Sequence, residues 1–283
     1  MAIKLVAILL ILFVAHVLPD LARLRDYSWW RAWLRWLGPP AAGVALAIGV
    51  GLPVLVCVLV QAGLSTSWFG LIGFVFAVVV LYYCWGPRDL ERDVEAIDKA
   101  PDGTARLAAA QALRRDGDDS ELPFAAENLV AATFAAALSR WFGVLFWFVV
   151  LGPCGALLYR LAQLLAAAPA TDESALARKF AALLDWLPAH LMALALALAS
   201  NFDAVFSAWR DYHRAHAQGY ANLDLGFLDA IARASVTADV AADGNADAHS
   251  PLVALDDAMV LVRRVLVVWL TLIALIVLGG WFG

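Results

Sequence analysis

Runs of about twenty apolar residues recur along this chain, and nothing constrains its fold more. Backbone N–H and C=O groups find no partners in hydrocarbon, so a run of that length crosses a bilayer as a helix. The clearer runs cover residues 2–18, 42–61, 67–85, 141–163 and 262–282; a sixth, 183–200, carries Asp185 and His190. No alternation of period two persists anywhere, so the chain reads as all-α. The expected fold is a polytopic α-helical integral membrane protein, a single membrane domain over 1–283 with about six hydrophobic helices, four to six of them spanning. Composition agrees, with 63% hydrophobic and 16% charged residues against about 25% charged in soluble domains. With 20 Lys+Arg against 25 Asp+Glu, the chain has no basic surplus for a phosphate backbone, which argues against nucleic acid and leaves the lipid bilayer as the expected partner. Cys57, Cys84 and Cys154 lie inside apolar runs without C-x-x-C spacing and read as core residues.

Lys4 precedes the first run as in a signal peptide, but no small-x-small cleavage site follows before Pro19 and Asp20, so the run reads as an uncleaved helix. With six spans and both ends outside, sixteen of the twenty Lys and Arg fall on the inner side, and Lys4, Arg160, Arg178 and Lys179 fall outside. With that orientation, helical cytoplasmic segments fall at 86–140 and 202–261. In DYSWWRAWLRWLGPP, residues 26–40, Trp29, Trp30, Trp33 and Trp36 interleave with Arg31 and Arg35. That pattern predicts an interfacial amphipathic helix over 26–38, anchored by the four tryptophans. Small residues at four-residue spacing, Ala41, Ala45 and Gly49 with Gly43, Ala47 and Gly51, predict a close helix–helix approach and are compatible with a homodimer. TADVAADGNADAHSP, residues 237–251, reads as a flexible loop.

The chain lacks G-x-x-x-x-G-K-[ST], G-x-S-x-G and H-E-x-x-H. His213 and His216, near Asp211, could share a helix face, but they read as an interface helix and no metal site is assigned. Asp185 and His190, on either side of Pro188 in DWLPAHL, mark either a polar cavity or a membrane boundary. Arg114, Arg115 and Asp116, with Glu127 and Asn128 ahead of the fourth run, form a cluster able to hold an anion through arginine or Mg²⁺ through carboxylate. No catalytic residue is assigned.

RWFGVLFWFVVLGPCGALLYRL at 140–161, with LYYCWGPRDL at 81–90, DWLPAHL at 185–191 and RRVLVVWLTLIALIVLGGW at 263–281, resembles the AmpE family. The resemblance implies an inner-membrane signalling modulator of β-lactamase induction and peptidoglycan-recycling sensing, functionally linked to the AmpD amidase. AmpE in turn is distantly similar to the CobD/CbiB membrane enzymes, which join an amino-alcohol phosphate to cobyric acid with ATP and Mg²⁺. On that similarity ARLAAAQALRRDGDDSELPFAAEN, residues 105–128, follows the synthase pattern at Arg106, Arg115, Asp116, Glu127 and Asn128, and the later motif follows it at Asp185, Pro188, Ala189 and Leu191. The ligand-binding candidates are Arg106, Arg115, Asp116, Glu127, Asn128, Asp185 and His190. Pro123 and Ala131 stand where the pattern has acidic residues, and His190 where it has arginine. The resemblance makes signalling the main expectation, and an ATP- and Mg²⁺-dependent amide-forming enzyme with a changed substrate the alternative. A transporter of a small cell-wall-derived ligand is a third, although no internal repeat supports it.

Overall fold

A computed structural model describes residues 2–17, 25–37, 43–64, 70–86, 89–115, 120–168, 172–216, 223–242 and 250–279. All regular structure among them is helical, and the chain is an all-α polytopic membrane protein. Four helical stretches are long and apolar enough to cross a membrane: Leu46–Leu64, Ala126–Leu151, Ala175–Ala199 and Pro251–Leu278. The apolar helices α1 (Ala2–Val17) and α4 (Gly70–Cys84) extend roughly 24 and 22 Å at 1.5 Å per residue, short of a hydrocarbon core of about 30 Å. The chain divides into two compact units.

The first unit comprises Met1–Pro87, Gly143–Leu184 and Ile273–Gly283. It includes α1, α2 (Ser28–Leu37), α3 (Leu52–Leu64) and α4, and the hairpin of α8 (Gly143–Leu151) and α9 (Pro153–Ala166). The sequence suggests one run over 141–163, but the chain reverses inside it. Gly152 adopts φ +78°, where a side chain would be strained, and Pro153 starts α9 with its ring at a position needing no N–H. The two arms touch through glycine: a Cβ on Gly143 would lie 2.1 Å from the Tyr159 ring, and one on Gly155 would lie 2.2 Å from the Trp147 carbonyl oxygen. Backbone groups exposed by the reversal find side-chain partners. Gln61 on α3 donates to the Leu151 carbonyl and accepts from the Cys154 N–H, both at 3.3 Å, and Lys4 donates to the Val149 carbonyl at 2.7 Å.

The reversal also relocates Arg160, which the sequence count puts outside. It is buried on α9, and its Nε donates to the Cys84 carbonyl at 2.9 Å, at the C-terminal end of α4. Tyr27 and Arg25 cap the adjacent Tyr83 and Gly86 carbonyls, so cationic and hydroxyl donors meet the negative end of that helix. Arg160 therefore belongs with the LYYCWGPRDL end. The Trp-rich segment folds as α2, but its tryptophans divide. Trp30 is 2% exposed, with its indole N–H on the Gly49 carbonyl at 2.9 Å, and has no surface to give to lipid. Trp29 donates to the Tyr83 hydroxyl, Trp33 stacks on Trp36, and Trp36 is 77% exposed. Gly49 takes the close contact foreseen for it, from Leu34 of α2, within a π-helical turn over Ala45–Gly51. Ala41 lies outside the described residues.

The second unit comprises Arg88–Phe142 and Asp185–Leu272. In it α5 (Leu90–Asp98) and α6 (Gly103–Ala110) start on side-chain caps from Asp89 and Asp102, and α11 (Phe202–Ala215) on Asn201. The helix α7 (Ala126–Ala137) packs against α12 (Gly226–Ala242), which packs on α11. Helix α12 extends through Thr237–Ala242, the first six of the fifteen residues read as a loop, and 243–249 lie outside the described residues. Arg140 in the π-helical turn after α7 is buried, donating to Asp93 of α5 at 2.7 Å and to the Ala112 carbonyl at 2.6 Å.

Candidate functional site

A cleft of about 280 Å³ opens in the second unit between the end of the α6 segment, the chain leading into α7, and α12. Local chemistry builds its rim. Gln111, just after α6, clamps Leu122 from both sides, its amide nitrogen donating to the carbonyl at 3.0 Å and its amide oxygen accepting the N–H at 2.9 Å. Arg114 donates to the Ser120 carbonyl at 2.9 Å. These bonds hold Ser120 and Leu122 against the segment that presents Arg115. Its base hangs on Arg140, whose bond to the Ala112 carbonyl ties the turn Gln111–Leu113 to the end of α7.

The cleft gathers three arginines, Arg114, Arg115 and Arg233, with Asn128 and the carboxylates Glu121 and Asp229. Each outer guanidinium is held by a carboxylate. Arg115 pairs with Asp185 of α10 (Asp172–Ala199) at 3.2 Å, where Asp185 is 1% exposed and Arg115 46%. Arg233 on α12 pairs with Glu127 on α7 at 3.3 Å, with both side chains well exposed. Pairing leaves each fork with further N–H donors, so the arrangement suits a phosphate or carboxylate approaching from solvent. Burial pushes the Asp229 carboxyl up to about 6, against the pull of Arg233 and Arg115.

Of the residues singled out in the sequence, Arg115 and Asn128 line the cleft, and Asp185 and Glu127 bear on it through the arginines they hold. Asp185 itself is shielded from water, with Arg115 between it and solvent. His190 is turned away from the arginines. Its Nδ1 faces the Trp186 carbonyl at 2.7 Å, and its ring packs among Trp186, Trp209 and Phe227. Arg106 does not line the cleft, and Asp116 lies outside the described residues. Pro123 and Ala131, where the synthase pattern has acids, both line it. Sequence reading missed Asp229 and Arg233. Their signal was an acid and a base four residues apart on one helix, but that spacing is equally common on solvated faces.

A model of the CobD/Cbib protein family matches residues 12–222. The "Cobalamin biosynthesis protein CobD" of Chromobacterium violaceum is 31% identical over 150 residues, covering 50% of this chain and 48% of that protein. The chain thus spans about half the length of the curated relative it matches. No solved structure matches the chain. Both matches fall on the cobalamin branch of the resemblance, and neither bears on its AmpE branch. With its Arg115, Asn128 and paired Asp185 inside the matched segment, the chain belongs to the CobD/CbiB family.

Proposed function

We propose that this chain is a CobD/CbiB-type membrane protein of cobalamin biosynthesis, which joins an aminoalkyl phosphate to a corrinoid carboxylic acid through an amide bond at the expense of ATP. The observation that carries the reading is the convergence of Arg114, Arg115 and Arg233 on one solvent-open cleft. Guanidinium forks are the side chains best matched to phosphate oxygens, and both the nucleotide and the aminoalkyl phosphate bring such oxygens. The Lys/Arg asymmetry supports an inner-membrane location with this cleft on the cytoplasmic side, where ATP is available.

Among the described residues no cage for Mg²⁺ comes together in the cleft. Asp185 and Glu127 are engaged by arginine, Pro123 and Ala131 offer no carboxylate, and among the described residues no three acidic, His or Cys side chains come together.

Those same two departures, both in the cleft wall, favour a second reading. In it the pocket keeps its anion-binding arginines while giving up the synthesis, and the chain acts as an AmpE-type modulator of β-lactamase induction with a functional link to the AmpD amidase. One pair of strains separates the readings. Expression of this chain in a CobD/CbiB-deficient strain restores cobalamin synthesis under the first and does not under the second. Deletion in the native host changes β-lactamase inducibility only under the second.

A further inference from the structure

The matched family segment ends at residue 222, yet the cleft is closed by α12, which contributes Asp229 and Arg233 from beyond it. Amide formation needs a group to accept a proton from the attacking nitrogen. Among the described residues lining the cleft few can do so, since arginine, asparagine and apolar side chains cannot. No histidine is among them, and of the two carboxylates Glu121 is exposed while Asp229 is half-buried between two guanidiniums.

Resting on the amide-forming reading above, we propose that Asp229 is the catalytic residue that takes the proton from the amine as it attacks the activated carboxyl group. ATP transfers its terminal phosphoryl group to the carboxylate, giving an acyl phosphate and ADP. The free amine of the aminoalkyl phosphate attacks the acyl carbon, and the C–N bond forms. The nitrogen becomes acidic and its proton passes to Asp229. The C–O bond to phosphate breaks, and phosphate leaves with the electron pair. Arg115 and Arg233 hold phosphate oxygens on either side and keep the carboxylate oriented.

Burial holds the Asp229 carboxyl near 6, so it is ionised at neutral pH yet far more basic than an ordinary aspartate, which suits a general base. The groups facing it from neighbouring elements are few. They are Arg233 on its own helix, Arg115, Asp224 before α12 and Tyr212 of α11, with Arg114 and Glu121 in the same cleft and Glu127 of α7 on the far side of Arg233. Tyr212 donates to Asp224, Glu127 accepts from Arg233, and Glu121 is exposed, so Asp229 is the half-buried carboxylate of the cleft.

The test uses the full chain purified in detergent, with ATP, cobyric acid and an aminopropyl phosphate. Wild type is compared with Asp229→Asn and Asp229→Glu, and hydroxylamine serves as an alternative nucleophile that needs little help from a base. The expected result is a loss of about 100-fold or more in amide formation by Asp229→Asn, with hydroxamate formation kept within threefold and partial recovery in Asp229→Glu. Wild-type activity falls below pH 6, and the variant's residual rate does not follow that fall. Equal loss of amide and hydroxamate, or an Asp229→Asn variant as fast as wild type, overturns the role of Asp229 while leaving the reaction standing. A wild-type protein that forms neither product overturns the reaction and, with it, this role.

Discussion

Replacing Arg115 by alanine should show whether the buried Asp185 carboxylate is there for stability or for the cleft. Removing one partner of a fully buried pair costs about 3–5 kcal/mol, while an exposed pair is worth about 0–1 kcal/mol. Here Asp185 is 1% exposed and Arg115 46%. The expected cost of Arg115→Ala lies between these limits, at about 2 kcal/mol, because the carboxylate stays desolvated while its partner was half in water. Asp185→Asn removes the charge that needed a partner and frees a guanidinium that solvent already reaches, so its cost stays under about 1 kcal/mol. The double variant should then resemble Asp185→Asn, giving a coupling of about 2 kcal/mol, the cost of Arg115→Ala itself. Reversible unfolding in mixed micelles, followed by tryptophan fluorescence, measures all four corners of the cycle. Inorganic phosphate and ATP binding supply a second readout. Arg115→Ala and the double variant should both lose about tenfold or more in affinity, the worth of one charge-assisted hydrogen bond, and restored stability in the double variant should not restore it. An Arg115→Ala protein as stable as wild type, with zero coupling, would refute this account of Asp185.

Three further outcomes follow from the same geometry. Asp93→Ala should cost about 3–5 kcal/mol by stranding Arg140, since both partners are shielded, whereas Asp93→Leu with Arg140→Met should lie within about 1 kcal/mol of wild type in the same unfolding assay. Gly155→Ala drives a methyl group into the Trp147 carbonyl and should cost about 1–3 kcal/mol, while Gly63→Ala, with nothing within 4 Å, should be neutral or stabilising by up to about 1 kcal/mol. Asp229→Asn should raise the thermal midpoint at pH 8. The folded-state value near 6 exceeds the ordinary 3.8, so the folded protein binds the extra proton and wild type gains stability as pH falls from about 6 to 4. The advantage of the variant, at most about 3 kcal/mol, should fade over that window, and a pH-independent difference would contradict it.

Much of the architecture was legible in the residue order because its causes are local. A run such as 262–282 is too costly to leave in water whatever surrounds it, and the helix-starting Asp89, Asp102 and Asn201 act on N–H groups two or three residues away. Arg115 and Asn128 were within reach for a similar reason, as they sit in one contiguous segment whose residue pattern resembles that of a family. What sums over distant segments was not legible. Apolar residues predominate on both sides of Gly152, and it is the packed contacts of Gly143 with Tyr159 and Gly155 with Trp147 that turn one apparent span into a hairpin and move Arg160 to the other end of it. A tryptophan in an Arg-rich amphipathic helix could face lipid or protein, and the Gly49 carbonyl claims Trp30. Asp229 and Arg233 look like any solvated helical pair until α12 packs on α7 across about a hundred intervening residues and brings them to Arg115. Apolar burial and capping are decided by each segment's own chemistry, whereas the charge environment of the cleft exists only where separate segments meet and exclude water.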